Sequence, residues 1–299
     1  MLESQILTRV SILEVWGLLP EQLETVFTWL AEAEDCHIKS LKVSGDLSSL
    51  PAVSLSQAVV RLEHITFDRA GASTDQLDTV FSLLGEREEL TLKSLTVEWS
   101  DSSPPLLSGL APAVLSPALL RLEEVNLWGN SLAPDQLSHL LTSITDSKDL
   151  RLKSLNLSGN NISSVGPEQV AASLIRLEQV LLINTRLTTL QADLLLAAIL
   201  HTPASPLSRL YLSDNNLSLA SPSLLASAVV CLERAGLDDT NLTTVQVTSI
   251  LRQISINQNT KLSHLDMEGV DPSLIPEEVI LQVREKFNVM EGFRLETKI

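Results

Sequence analysis

The sequence predicts an α/β solenoid of strand–helix repeats, with a parallel sheet on the concave side and helices on the convex side. Two observations carry that prediction. A short apolar phrase, L-x-x-L-x-L, recurs along nearly the whole of the 299 residues. Within each recurrence the apolar spacing changes from period two to a helical period. One such unit cannot cover its own leucines, whereas stacked neighbours can. Strands lie about 4.8 Å apart and helices are about 10 Å across, so the stack is expected to bend into a horseshoe.

The phrases fall into two interleaved series. One reads Leu62-Ile65-Phe67, Leu122-Val125-Leu127, Leu177-Val180-Leu182 and Leu232-Ala235-Leu237, with Val10-Leu13-Val15 as an opening member. The other reads Ile38-Leu41-Val43, Leu92-Leu95-Val97, Leu152-Leu155-Leu157, Leu207-Leu210-Leu212 and Leu262-Leu265-Met267. Ten repeats result. They occupy 10–270, after a short N-terminal segment at 1–9 and before a C-terminal cap at 271–299, in which Glu277–Phe287 is expected to be helical. A single repeat domain is expected.

Each helix start has suitable chemistry. Pro20-Glu21-Gln22-Leu23, Thr74-Asp75-Gln76-Leu77, Pro134-Asp135-Gln136-Leu137 and Ser221-Pro222 place proline or an early carboxylate where the helix has free N–H groups and a positive end. Asparagine stands at the turn after the strand at Asn130, Asn160 and Asn215. Thr185, Thr240, Ser100, Asp46, Ala70 and Val270 replace it elsewhere. Ala70 and Val270 offer no side-chain hydrogen bond, so less regular turns are expected beside them.

At these phrases the chain resembles the leucine-rich repeat family. Leu-Asn-Leu-Ser-Gly-Asn-Asn-Ile at 155–162 and Leu-Tyr-Leu-Ser-Asp-Asn-Asn-Leu at 210–217 carry the resemblance most specifically. Repeat length and the outer helix are similar to the ribonuclease-inhibitor subclass. The alternation of Arg-Leu-Glu with Leu-Lys-Ser-Leu, as at Arg121-Leu122-Glu123 and Leu152-Lys153-Ser154-Leu155, resembles the repeat region of NLR-type intracellular immune receptors. That resemblance implies a ligand-sensing or autoinhibitory region in innate immunity, with a nucleotide-binding oligomerisation domain outside this chain. The alternatives implied are an inhibitor that clasps a basic enzyme and a GTPase-activating repeat protein. Ribonuclease inhibitors are rich in cysteine, and this chain has two.

Catalytic and ligand-binding signatures are missing from the sequence. The five histidines stand singly, and no zinc-ligand spacing, Walker loop, G-x-S-x-G, G-x-G-x-x-G or calcium loop occurs. A non-enzymatic chain without metal or cofactor is expected. The sequons at Asn156, Asn161, Asn216 and Asn241 follow from the repeat phrase itself. No apolar run reaches the roughly 18 residues of a membrane span, and the first ten residues lack a signal-peptide core. Two cysteines fit a reducing compartment, so a soluble cytoplasmic protein is expected, a monomer by preference.

The net charge of −16 opposes nucleic acid and anionic lipid and favours a protein partner, a basic one above all. Residues between the apolar anchors should project from the concave sheet. Trp16, Trp99, Trp128 and Tyr211 fall there or at its rim, although aromatic residues make up only 3% of the chain. With Ile183 they form the expected aromatic and apolar anchors. Among charges, Glu14, Asp68, Glu98, Glu124, Asp238, Asp266 and Glu268 oppose only Lys42, Arg209 and Arg234. The expected partner-binding set is therefore Trp16, Glu98, Trp99, Glu124, Trp128, Ile183, Arg209, Tyr211, Asp238 and Asp266.

Overall fold

A computed structural model describes residues 11–33, 36–98, 107–270, 275–287 and 294–296. Ten strand–helix pairs follow one another along the chain, and an eleventh strand ends the described residues. The residues group into two compact units, Met1–Leu155 and Asn156–Ile299.

In the first unit the strands are β1 (Ile12–Trp16), β2 (Ser40–Asp46), β3 (His64–Gly71), β4 (Ser94–Glu98) and β5 (Glu124–Asn126). They pair in parallel and in chain order, with Leu13 beside Leu41, Leu41 beside Ile65, Ile65 beside Leu95 and Leu95 beside Val125. Its helices are α1 (Pro20–Glu32), α2 (Ala52–Val59), α3 (Thr74–Glu86), α4 (Pro112–Leu120) and α5 (Pro134–Asp146), each packed on the next. The second unit holds α6 (Pro167–Leu174), β7 (Gln179–Leu181), α7 (Thr189–His201), β8 (Arg209–Tyr211), α8 (Pro222–Val229), β9 (Arg234–Gly236), α9 (Thr244–Ile256), β10 (His264–Asp266), α10 (Glu277–Phe287) and β11 (Arg294–Glu296). Strands β7 to β11 are again parallel and in chain order. The division runs through β6 (Ser154–Asn156).

The phrase leucines are the core. Leu41, Ile65, Leu95 and Val125 in one unit, and Leu157, Leu182, Leu210 and Leu265 in the other, are at most 2% exposed. Their strand neighbours face the other way, onto the open face of the sheet. α10 spans the residues expected to be helical. The segment expected to be only a cap also carries β11, with Leu295 beside Leu265.

Helix length distinguishes the two series. Helices α1, α3, α5, α7 and α9 have 13 residues, whereas α2, α4, α6 and α8 have 8 or 9. Every long helix after the first begins with a buried glutamine that fastens it to the preceding repeat. Gln76 Nε2 donates to the carbonyls of Leu47 and Leu50 at 2.7 and 2.6 Å while its Oε1 accepts the N–H of Ser73 at 2.7 Å. Gln136, Gln191 and Gln246 repeat the arrangement on Leu107 and Leu110, Ile162 and Val165, and Leu217 and Ala220. One side chain thereby supplies buried loop carbonyls that no helix or strand can serve.

Arginine and lysine explain the alternating phrases. Arg121 donates to the carbonyls of Gly85 and Glu88 at 2.9 and 3.0 Å, and Arg61 does the same for Ala31 and Ala33, satisfying the free C-terminal ends of α3 and α1. Lys39 and Lys93 both pair with Glu63, at 2.7 and 2.6 Å, and Lys153 pairs with Glu123 at 2.8 Å. Glutamate from one series thus stands between lysines of the other.

The turns show where the asparagine reading holds and where it changes. Asn215 is buried; its Nδ2 donates to the carbonyls of Leu182, Leu212 and Ser213, and its Oδ1 accepts the N–H groups of Thr185 and Leu187. Thr185 and Thr240 donate their hydroxyls to the carbonyls three residues back. At Ala70 the preceding residue, Arg69, is left-handed as well, at φ 52°, but no side chain among the described residues closes the turn. Strands β2 and β3 continue instead, with Gly45 beside Ala70 and Asp46 beside Gly71 after a bulge, so the strand ladder takes up the backbone groups. The residue just before the turn position is left-handed in repeat after repeat, as at Gly129, Gly159, Asn184, Asp214 and Asp239, with φ between 52° and 72°. Among the described residues, no helix is long and apolar enough to cross a membrane.

Candidate binding surface

The parallel sheet sets its open face as three columns of side chains, one for each outward position of a strand. In the first unit the middle column reads Glu14, Lys42, Thr66, Thr96, Asn126 and the last reads Trp16, Ser44, Asp68, Glu98, Trp128. Trp16 is 59% exposed and Trp128 49% exposed. They stand on β1 and just after β5, four strand spacings apart, or about 19 Å. They therefore form two separate anchors with a polar stretch between them. The backbone N–H of Trp128 donates to Asn126 Oδ1 at 3.1 Å, which fixes the chain where the tryptophan leaves β5. Trp99 lies outside the described residues.

Between the tryptophans the charges are organised around one lysine. Lys42 Nζ meets Asp68 Oδ2 at 3.0 Å. Its hydrogen bond to Asp68, with the nearby charges of Asp68, Glu98 and Glu14, holds the ammonium above its ordinary pKa. Glu98 is half-buried in β4 beside Asp68 in register, and Glu124 is exposed at the start of β5. On the strand's leading edge, hydrogen bonds from Lys39 and then Lys93 hold Glu63 down to about 2. Glu123 is likewise lowered, by Lys153.

The second unit has a different face. Its first column reads Gln179, Arg209, Arg234, His264; its middle column Leu181, Tyr211, Gly236, Asp266; its last Ile183, Ser213, Asp238, Glu268. Tyr211 lies over Gly236: a Cβ there would stand 2.7 Å from Tyr211 Cδ1, so only glycine admits the ring. Ile183 is half-buried, and its N–H donates to Ser158 Oγ at 3.0 Å. Asp238 is engaged in the sheet, accepting the N–H of Glu268 at 2.7 Å and the hydroxyl of Ser213 at 3.3 Å. Asp266 Oδ1 lies 3.0 Å from His264 Nε2, a contact that becomes an ion pair when the imidazole is protonated. The structure thus gathers Ile183, Arg209, Tyr211, Asp238 and Asp266 on one face, and Trp16, Glu98, Glu124 and Trp128 on the face of the other unit.

Column charge balance alone misses two features. The first is the separation of basic and acidic columns in the second unit, which only register displays. The second is the glutamine staple. Its signal was present as a glutamine two residues inside each long helix after the first, at 76, 136, 191 and 246. Among the described residues no group of three or more His, Cys, Asp or Glu side chains could hold a metal ion. Cys36 is half-buried, Cys231 exposed, and both are free.

Residues 151–172 match the family model described as Leucine Rich Repeat. No curated protein matches the chain. The match, the repeated strand–turn–helix unit and the parallel sheet together support a leucine-rich repeat protein, and its fold is that family's α/β solenoid. Repeats of this kind are generally protein-interaction modules.

Proposed function

We propose that the chain recognises a protein ligand through the open face of its sheet, without catalysing a reaction. The observation that carries this reading is the exposure of Trp16 and Trp128 at 59% and 49% on a rigid sheet, in a chain with so few aromatic residues. A large aromatic side chain left in water on a fixed surface gains most by burial against a partner. The acidic residues around Lys42 favour a basic contact at the first unit.

The finer reading is a ligand-sensing or autoinhibitory repeat region of an NLR-like receptor, acting in the cytoplasm. It is supported by the alternating Arg-Leu-Glu and Leu-Lys-Ser-Leu phrases. Helix capping by Arg61 and Arg121 and the Glu63 ion pairs account for that alternation internally, so the phrases speak to architecture more than to ligand. Affinity capture separates the readings. A nucleotide-binding oligomerisation protein recovered with the chain supports the receptor, and a basic secreted enzyme supports an inhibitor. Stimulated GTP hydrolysis by a small GTPase supports the third alternative.

Replacing Trp16, Trp128 and Tyr211 together by alanine tests the surface itself. The variant should melt close to the wild type and lose about tenfold or more in affinity for whichever partner is recovered. Unchanged affinity with unchanged melting would move recognition to the helices or rims.

A further inference from the structure

Arg209 and Arg234 stand directly beside each other on β8 and β9, between Gln179 on one side and His264 on the other. Like charges in register repel, and neither guanidinium forms an ion pair or side-chain hydrogen bond with any described residue. The Nε of Arg209 is buried and unpartnered, which leaves a charged donor without the bond it lost to water. The acidic groups on the same face do not relieve them. Asp266 lies 3.0 Å from His264, Asp238 accepts only the neutral Ser213 hydroxyl and Glu268 amide and so keeps its charge, and the ring of Tyr211 lies over Gly236, which stands between Arg234 and Asp238 in sequence. In the first unit, by contrast, Lys39, Lys42, Lys93 and Lys153 each have a carboxylate.

Resting on the open-face reading above, we infer that the second unit binds a peptide segment carrying both charges: a carboxylate side chain seated on Arg209 and Arg234, and a basic side chain directed to Asp238. An aromatic or aliphatic residue between them lies on Tyr211. Two neighbouring guanidinium forks offer a carboxylate paired, charge-assisted hydrogen bonds. The two columns are four residues apart in sequence, Arg234 opening β9 and Asp238 two residues past its end, so the span is roughly 13 Å, about that of four residues in an extended ligand. A nucleic acid fits poorly, because every further phosphate would meet Asp238, Asp266 and a chain of net charge −16.

The test is panning of a displayed library of random, unmodified dodecapeptides against the full chain at about 0.15 M salt. The expected enrichment is an acidic and a basic residue spaced to span that distance. The selected peptides should bind R209Q/R234Q about tenfold or more weakly, with melting unchanged. Replacing the peptide's acidic residue by glutamine should cause the same loss in the wild type and little further loss in the variant. If the double variant does not fold, Arg234→Gln alone, at an exposed position, gives the same comparison. Peptides that are only basic and bind R209Q/R234Q normally would overturn the two-charge ligand. The open-face reading would survive that result if W16A/W128A/Y211A weakens them. Peptides indifferent to both sets of substitutions would overturn both readings, and enrichment of no peptide would overturn the two-charge ligand.

Discussion

The unit Met1–Leu155 extends β2 and β3 to seven and eight residues and neutralises the four lysines at its strands. In Asn156–Ile299 every strand from β7 onward has three residues, turn backbone is served by buried Asn160, Thr185, Asn215 and Thr240, and two arginine side chains have no partner among the described residues. At the leading edge of the sheet, Ser208 and Ser263 occupy the positions that Lys93 and Lys153 occupy in the first unit, and donate only to the carbonyls of Glu178 and Glu233. One repeat phrase therefore admits two solutions. Where the lysines are paired within the sheet, the face keeps its aromatics and surplus carboxylates for a partner but no free cation among its described residues. Where the basic side chains lack such a partner among the described residues, the face keeps its ionic bonding capacity for a ligand.

The largest effects should be the same in both units, because both bury the same phrase. Leu155→Ala and Leu210→Ala should each cost roughly 2 to 5 kcal/mol in denaturant unfolding, since both side chains are buried and leave a cavity. A neutral result at either would break the shared core. Next, Asn215→Ala should cost about 3 kcal/mol, because it strands the N–H groups of Thr185 and Leu187 together with buried carbonyls. Ala70→Asn in the first unit should bring no matching gain, since the backbone at Ala70 is already paired with β2 beyond the bulge. A stabilised Ala70→Asn would mean that the first unit's long strands are a weaker substitute for the turn.

Trp128→Ala should change stability by no more than about 0.5 kcal/mol, as expected for an exposed side chain away from the core. Early melting of this variant would make the tryptophan part of the scaffold. The smallest effect concerns pH. Glu63 is held near 2, below its ordinary 4.5, so its contribution to stability is complete above 4.5 and is lost as pH falls toward 2. Its carboxyl should titrate near 2 by NMR and move back toward 4.5 in the Lys39→Met/Lys93→Met variant. Because the three groups are solvent-facing, the accompanying change in melting should be slight.

The sequence by itself determined the ten strand–helix repeats, because strand and helix periods are local and the leucine phrase marks each start. It also placed Trp16, Trp128 and Tyr211 on one side of their strands, since alternation allows no other side. It did not reveal β11, where Gly292 and Thr297 stand at anchor positions around Leu295 and the phrase is no longer apolar. Only the tertiary structure decided which polar groups are already satisfied. Gln76 reaches carbonyls 26 and 29 residues earlier, and Glu63 meets Lys39 and Lys93 across neighbouring repeats. Arg209 and Arg234 lie one residue further along the phrase than Lys93 and Lys153, and the stacking of strands brings them beside each other rather than beside a carboxylate. Charge is written in the chain, but the pairing of charges depends on register and distance, which exist once the repeats are stacked.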